Sequence, residues 1–302
     1  MKLAPILVQG FDVVALLALP PLLLGVINKT KAAFAGRRGP PLVQAYRDLF
    51  RLARKESVFS RTTTWIFRAA PIVTLVATVL AGLLVPLGPG SSPLGFQGDL
   101  VLFVSLFALG RFFTTTAALA TGSPYEGMGA AREITYACLA EPAVFFVLLC
   151  LVRLSGSLSL GPMLSAPADG HIPSVVLCVV GLLVVMLLET SRVPFDDPNT
   201  HLELTMIHEV MVLDHSGPLL GAILYGAAVK LFVLATVVVR LALPSDLGPW
   251  SGRIGLVIGL LLLSVGVGVV ESVTGRVRLQ KIPNVIAAAT LLTAFAFLLM
   301  VR

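Results

Sequence analysis

Apolar runs of about 20 residues recur along the whole chain, separated by shorter polar segments. A helix needs a run of this length to cross the roughly 30 Å hydrocarbon core of a bilayer. We therefore predict an all-α polytopic membrane protein, with residues 1–302 forming a single membrane domain. The eight predicted transmembrane helices are 3–27, 65–87, 99–121, 130–152, 174–190, 217–243, 253–273 and 282–301.

Positively charged residues are distributed unequally between the loops that these spans create. The odd-numbered loops hold fourteen Lys and Arg residues, whereas the even-numbered loops and the termini hold four. Cytoplasmic loops of membrane proteins carry the excess of Lys and Arg. The chain is therefore predicted to lie in the cytoplasmic (inner) membrane with both termini on the outer side. Loops 1, 3, 5 and 7 then face the cytoplasm, with loop 1 at about 28–64 and loop 5 at about 189–216.

Loop 1 contains a segment whose apolar and polar residues separate onto opposite sides of a helix. Over 42–55, Leu, Ala, Tyr and Phe positions share one side, and Gln, Asp, Arg and Lys positions share the other. This pattern indicates an amphipathic helix in the membrane interface. Its basic side suits anchoring to lipid headgroups, docking of a cytoplasmic partner, or both. The candidate interface residues are Arg37, Arg38, Gln44, Arg47, Asp48, Arg51, Arg54, Lys55 and Glu56.

Loop 5 concentrates the titratable groups of the chain, with six of the sixteen acidic residues and three of the four histidines. Asp197 followed by Pro198 is typical of the start of a helix, here a short one that ends near Gly217. On that helix one side would carry His201, Thr205, His208, Glu209 and His215, and the other Glu203 and Asp214. The loop-5 candidates for coupling or a partner interface are Arg192, Asp196, Asp197, His201, Glu203, His208, Glu209 and Asp214.

Two acidic and two basic residues fall near the middle of predicted spans: Asp12, Arg111, Glu141 and Lys230. A central charge costs about 2.5–3.5 kcal/mol on insertion scales, so these residues must pair, face water or become neutral. They form either structural ion pairs or a proton or ion path, and we favour the path because structural pairs are expensive relative to apolar packing. Glu133 and Glu271 lie nearer the cytoplasmic ends of spans and can feed it. The coupling candidates are Glu133, Glu141, Glu189, Lys230, Asp12 and Arg111.

The composition excludes several other classes of protein. With 57% hydrophobic and 13% charged residues, the chain offers no polar stretch long enough for a separate soluble domain. Its net charge of +6 does not indicate nucleic acid binding, because no basic patch is interleaved with aromatic residues. Cys138, Cys150 and Cys178 lack cluster-ligand spacing, and His201 and His208 lie seven residues apart, so we expect no metal and no cofactor in this chain. No catalytic motif is present.

Four stretches of the chain together resemble one membrane subunit. It is shared by respiratory complex I, as its subunit 1, and by the energy-converting NiFe hydrogenases. The stretches are Arg38-Gly-Pro with Gln44, Asp48, Lys55 and Glu56; RFF at 111–113 with TGSP, GAARE and Glu141-Pro142; ETSRVPFDDPNTHLELTMIHE at 189–209; and ESVTGRVRL at 271–279. The resemblance covers essentially the whole chain, and its ETxRxPFD core is highly specific.

The departures from the quinone-reducing branch of this family are informative. Pro40 runs directly into Pro41-Leu42 without an Asn-rich insertion, and DDPNTHLELTMIHEVMVLDHSG replaces an acidic EGE-type segment. The chain is in these respects similar to the membrane subunit of formate hydrogenlyase and hydrogenase-4. The departures count against a functional quinone site.

The resemblance implies a subunit without a redox centre of its own. It implies docking of a NiFe large subunit and a small iron–sulfur subunit, which carry the NiFe centre and the iron–sulfur clusters, on loops 1 and 5. Antiporter-like membrane subunits are expected beside it, and the lipid bilayer around it. The sequence leaves two alternatives open: the quinone-binding membrane subunit of an NADH- or ferredoxin-linked quinone oxidoreductase, and a free-standing ion transporter.

Overall fold

The computed structural model describes residues 3–89, 92–166, 170–196, 206–244 and 247–301, and the side chains of the first helix from residue 8 onward. These residues form helices joined by loops and turns, without strands. The α-helices are α1 (Leu3–Ala18), α2 (Pro20–Phe34), α3 (Gln44–Ala53), α4 (Trp65–Leu84), α5 (Asp99–Ala120), α6 (Pro124–Ser155), α7 (Leu160–Ser165), α8 (Ile172–Glu189), α9 (Gly217–Ala242), α10 (Pro249–Val273) and α11 (Ile282–Val301).

The predicted all-α membrane architecture is confirmed, with one change to the first span. Among the described residues, seven helices are long and apolar enough to cross a membrane singly, and α1 with α2, bent by 48° at Leu19, is the candidate for an eighth span. The bend replaces the predicted continuous helix 3–27. Its physical reason is the Pro20-Pro21 pair, because proline lacks the N–H of the helical hydrogen bond and clashes with the preceding turn.

Helix α6 is longer than the span predicted at 130–152. It begins with Pro124 in its first turn and ends at Gly156, whose φ of 66° suits the left-handed cap of a helix. Its 32 residues extend about 48 Å at 1.5 Å per residue, so its first turns project beyond a 30 Å hydrocarbon core. Glu126 and Glu133 therefore lie toward the N-terminal end of this helix, and Glu141 lies nearer its middle.

Helix α9 is the centre of the bundle. It packs on α2, α3, α4, α8 and α10, and it carries more buried residues than any other described helix. Helices α4 and α5 pack closely together on one side of it, and α6, α8 and α11 pack together on another. Lys230 lies near the middle of α9, so its ammonium group can meet side chains from both of these groups.

The amphipathic helix predicted in loop 1 is present as α3, two residues shorter at each end than the predicted 42–55. It lies against α2 and α9, and the Tyr46 hydroxyl donates a hydrogen bond to the Ala18 carbonyl at the bend. Gly25 faces the backbone carbonyl of Leu42, where a Cβ atom would overlap it. None of the α3 residues is fully buried, so this helix lies on the surface of the bundle.

The described part of loop 5 differs from the short continuous helix, ending near Gly217, that the sequence predicts. Residues 197–205, which include the predicted N-cap Asp197, His201 and Glu203, lie outside the described residues. Between 206 and 216 the only helical element is a 3-10 turn, Glu209–Val212, so His208, Glu209 and His215 do not form a continuous polar stripe. The Asp196 carboxylate instead accepts hydrogen bonds from the backbone N–H groups of Ile207 and His208.

Candidate functional site

Glu189, at the end of α8, lies between two cations from neighbouring helices. Its carboxylate accepts hydrogen bonds from Arg111 Nη2 at 2.5 Å and from Lys230 Nζ at 2.7 Å. Arg111, on α5, also donates from Nη1 to Glu141 Oε1 at 3.1 Å, and its Nε lies 4.0 Å from Glu133 Oε1. Five of the six predicted coupling residues therefore meet in one network, which we call the Glu189 network.

The charges of the Glu189 network do not balance when all its members are ionised. Three carboxylates, those of Glu133, Glu141 and Glu189, face two cations, Arg111 and Lys230. One additional proton would make the group neutral, which a low-dielectric environment favours. With that proton on Glu133 or Glu141, the Glu189 carboxylate still pairs with both cations, so the network can hold a proton while its remaining charges stay paired.

A cavity of about 70 Å³ opens beside this network. Its lining includes the Arg111, Glu133, Glu189 and Lys230 side chains, together with the threonines Thr74, Thr78, Thr114 and Thr115 of α4 and α5. One water molecule needs roughly 10–15 Å³ of such volume, so a few water molecules fit. A smaller cavity of about 10 Å³ lies between Glu133, Glu189 and Asp196, with room for about one water molecule.

Glu141 occupies the lateral edge of the network. Its side chain is 64% exposed although it lies within the apolar part of α6. An exposed carboxylate is unfavourable against lipid tails, so this face of α6 suits a protein neighbour or a water-filled path. The Glu141 side chain, predicted to lie at mid-membrane, therefore points outward from the helix bundle.

Asp12, the sixth coupling candidate, lies apart from the Glu189 network. It accepts hydrogen bonds from Arg253 of α10, at 2.8 Å from Nε and 2.7 Å from Nη2, and both side chains are buried. The sequence left two roles open for Asp12, a structural ion pair or a place in a proton or ion path. The contact with Arg253 fits the structural ion pair. Arg253 is the first residue of the predicted span 253–273, at the edge of an apolar run, and its neighbours in sequence do not indicate its partner.

Acidic and basic residues of loop 5 are tied to other segments at the same end of the bundle. Asp196 accepts from Arg276 at 3.3 Å, and Arg192 pairs with Glu271 at 3.3 Å. Lys31 of α2 binds the second oxygen of Glu271 at 2.7 Å. These contacts join α2, loop 5 and the segment after α10 into one unit. Arg192 and Asp196 therefore stabilise the loop from within, a role that sequence reasoning did not assign to them.

Two histidines of loop 5 line the 70 Å³ cavity together with the network. Burial, reinforced by the nearby positive charge of Lys230, lowers the pKa of His208 to about 4. Burial also lowers the pKa of His215, whose ring stacks on Phe67 at 3.8 Å and whose Nε2 lies 3.3 Å from the Phe67 carbonyl. Both rings are thus neutral at pH 7. In each, the buried Nδ1 has no hydrogen-bond partner within the described part of the chain.

Two further loop-5 candidates, Glu209 and Asp214, lie nearer the surface of the bundle. Glu209 lines a cleft of about 360 Å³ between loop 5, α2, α3 and α9. The Asp214 side chain is exposed, and its backbone N–H donates to Glu126 Oε1 at 3.1 Å. Glu126 is fully buried in the first turn of α6 and was missed by sequence reasoning. Ser123-Pro124 is typical of a helix start, so the sequence could have placed Glu126 in the first turn of α6.

The loop-1 candidates form an exposed, mainly basic surface. Gln44 and Asp48 are half-buried and hydrogen-bonded to each other at 2.9 Å. The other candidates are exposed, namely Arg37, Arg38, Arg47, Arg51, Arg54, Lys55 and Glu56. The predicted separation of a basic face from an apolar face is therefore present on α3.

Known proteins similar to this chain come from respiratory and hydrogen-metabolising complexes. Formate hydrogenlyase subunit 4 of Escherichia coli (strain K12) is 30% identical over 276 residues, covering 90% of this chain and 87% of that protein. Hydrogenase-4 component C of the same organism is 33% identical over 233 residues, covering 76% of this chain and 73% of that protein.

The fold is also that of a chain in the solved structure of the membrane-bound sulfane sulfur reductase, an archaeal respiratory membrane complex. The two chains superpose with a TM-score of 0.83 at 20% identity, over 98% of this chain and 99% of that one. The NADH dehydrogenase family model matches residues 7–302. The resemblance predicted from the four motifs is thereby confirmed, and the chain belongs to the NADH dehydrogenase family of multi-pass membrane proteins.

Proposed function

We propose that this chain is the membrane-anchoring and proton-coupling subunit of a complex I-like, membrane-bound NiFe hydrogenase of the formate hydrogenlyase type. The observation that carries the proposal is the Glu189 network, which joins loop 5 to an exposed mid-membrane carboxylate. The similarity to formate hydrogenlyase subunit 4 and to hydrogenase-4 component C supports the choice of a hydrogenase.

Loops 1 and 5 supply the docking surface in this proposal. The exposed basic residues of α3 and its flanks would bind the NiFe large subunit and the small iron–sulfur subunit, which carry the redox centres. Loop 5 lies between that surface and the Glu189 network, since His208 and Glu209 line the cytoplasmic cleft while His208 also lines the inner cavity. A charge change in the docked subunits therefore acts on the network across a short distance.

Coupling then proceeds through the single proton that neutralises the network. Electron transfer in the partner changes the electrostatic potential at loop 5 and shifts the proton among Glu133, Glu189 and Glu141. Arg111 contacts all three carboxylates, and Lys230 keeps its partner Glu189 when the proton resides on Glu133 or Glu141. In either of these two states each remaining charge has a partner. Glu141 passes the change sideways to an antiporter-like subunit against the exposed face of α6.

The test is proton movement in inside-out membrane vesicles that contain the assembled complex. Glu141→Gln should abolish hydrogen-linked proton movement and leave dye-linked hydrogenase activity intact, because the dye reaction needs only the docked subunits. Thr135→Val, at another exposed position of α6, is the matched control and should leave both activities intact. Unchanged proton movement in Glu141→Gln, or a purified complex without nickel, would overturn the proposal.

A second candidate function is that of the quinone-binding membrane subunit of an NADH- or ferredoxin-linked quinone oxidoreductase. The observation in its favour is the cleft of about 360 Å³, whose apolar wall from α9 and polar end at Arg192, His208 and Glu209 would suit an amphipathic ring and tail. Titration of the purified complex with a short-chain quinone, and inhibition by quinone-site inhibitors, distinguishes this candidate from the first.

A further inference from the structure

His208 lies between two cavities and lines both of them. It contributes to the inner cavity of about 70 Å³, where Arg111, Glu133 and Lys230 lie, and to the cytoplasmic cleft of about 360 Å³. Thr190 and Ser191 share this position at the end of α8, but their hydroxyls do not titrate near neutral pH. His208 is thus the titratable side chain, among the described residues lining these cavities, that faces both.

The state of the His208 ring suits the passage of a proton. A neutral imidazole has one nitrogen that donates a hydrogen bond and one that accepts. The buried Nδ1 of His208 has no protein partner among the described residues, although buried polar atoms are normally hydrogen-bonded to protein or water. A water molecule in the inner cavity can satisfy this nitrogen, which would connect the ring to the Glu189 network.

The backbone position of His208 is set by Asp196. The Oδ2 atom of Asp196 accepts the N–H groups of Ile207 at 3.1 Å and of His208 at 3.0 Å, while Oδ1 accepts from Arg276 at 3.3 Å. Pro194 accepts from the backbone N–H of Val277 at 2.8 Å, which ties the same stretch to the segment after α10. His208 is therefore held at the junction by contacts that do not involve its ring.

The charges around His208 differ between its two sides. The inner side presents Glu133 of α6, Glu189 of α8, Lys230 of α9 and Arg111 of α5, with Asp196 beside the backbone. The charged and titratable residues on the cleft side are Lys31, Asp48, Arg192 and Glu209. Acidic groups thus stand on both sides of the ring and can supply a proton from the cleft and accept one in the cavity.

We propose that His208 is the proton-transfer residue between the cytoplasmic cleft and the Glu189 network, and that Asp196 is its positioning residue. This inference rests on the proposed function. One ring nitrogen takes a proton from water or from protonated Glu209 in the cleft. The other nitrogen releases its own proton, through cavity water, to the carboxylate of Glu133. The ring ends neutral with its N–H exchanged, and a rotation of the ring resets it for the next proton.

The primary experiment replaces His208 in the assembled complex reconstituted into proteoliposomes. His208→Gln keeps the size and hydrogen bonding of the side chain but cannot relay a proton, so we expect hydrogen-driven proton movement to fall about tenfold or more. Dye-linked hydrogenase activity reports how much complex has assembled. His171→Gln, at the opposite end of the bundle before α8, is the matched control and should move protons at the wild-type rate.

Chemical rescue separates a relay from a structural role. His208→Ala opens space beside a cleft large enough for a small imidazole, so 4-methylimidazole should restore proton movement. The similarly sized 1-methylimidazole, which has one of its nitrogens blocked, should not. Equal rescue by both compounds, or wild-type proton movement in His208→Gln, would overturn the relay.

A double variant tests the role of Asp196. If Asp196 acts through His208, Asp196→Asn should slow proton movement alone and add nothing to the loss in His208→Gln, because residues acting as one unit are not additive. Additive losses would refute the positioning role. Absence of proton movement in the wild-type complex would remove the proposed function as well, whereas wild-type movement with an unaffected His208→Gln variant removes only this inference.

Discussion

Arg253 and Asp12 form a two-point ion pair between α10 and α1, with Nε–Oδ1 and Nη2–Oδ2 distances of 2.8 Å and 2.7 Å. Both side chains are almost fully buried, and Arg253 Nη1 also donates to the Pro249 carbonyl at 2.8 Å. The pair satisfies both charges and ties the first helix of the chain to the seventh span. It therefore has a structural role that is separate from the Glu189 network.

Removing one partner of this pair should destabilise the protein strongly. Asp12→Asn leaves the Arg253 guanidinium buried without a counter-charge, a change that costs about 3–5 kcal/mol. Thermal unfolding in detergent should show the loss, and Asp12→Leu combined with Arg253→Leu should recover much of it. Asp48→Asn, at an exposed pair 3.9 Å from Arg51, should change stability by less than about 1 kcal/mol. Equal effects of the two Asp→Asn changes would contradict this assignment.

Glu189 and Lys230 should be unequal in their sensitivity to substitution. Glu189→Gln leaves both Arg111 and Lys230 facing a neutral amide, whereas Lys230→Met leaves Glu189 paired with Arg111 at 2.5 Å. We expect Glu189→Gln to lower the amount of intact complex on native gels more than Lys230→Met does. The double variant should assemble better than Glu189→Gln alone, because it removes the unpaired ammonium. The reverse order of assembly would show that the pairing is different.

Gly25 should be required for the docking of α3. A Cβ at this position would overlap the Leu42 carbonyl, so Gly25→Ala must displace the segment that leads into α3. Displaced α3 should be cut faster by trypsin at Arg47 and Arg51. Gly10→Ala is the matched control, since a Cβ there meets nothing within 4 Å. Unchanged cleavage in Gly25→Ala would mean that α3 does not depend on this contact.

Stability should fall as the pH decreases from about 6.5 to 4. The folded state keeps His208 neutral down to its lowered pKa of about 4, and His215 has a lowered pKa for the same reason, while unfolded histidines take up protons near pH 6.5. The unfolded state therefore binds more protons in this window, which lowers the free energy of unfolding by at most about 1.4 kcal/mol per pH unit for each histidine.

The apparent unfolding midpoint, followed from pH 7.5 to 4.5, measures this dependence. His208→Gln should flatten the profile, and His171→Gln should leave it unchanged, because His171 is only partly buried and lies at the opposite end of α8. A profile for His208→Gln that matches the wild type would assign the pH dependence to other groups.

The sequence by itself determined the membrane architecture and the surface of loop 1. Runs of about 20 apolar residues specify spans because every backbone group must be hydrogen-bonded within a helix when it enters lipid. The 3.6-residue period specified α3, because burying one face is a local property of the pattern. The Pro20-Pro21 pair indicates the bend at Leu19. The continuous apolar run around it favoured an unbroken helix over 3–27, so the bend was not predicted.

Only the tertiary structure decided which charges meet. Asp12 pairs with Arg253, 241 positions away, and Glu189 lies between Arg111 and Lys230 from two other helices. Any of the acidic and basic residues within the spans could have paired by charge alone, so the choice depends on which helix faces pack together. The path of loop 5 has the same origin, because the Asp196 carboxylate binds the N–H groups that a helix through 206–216 would have used.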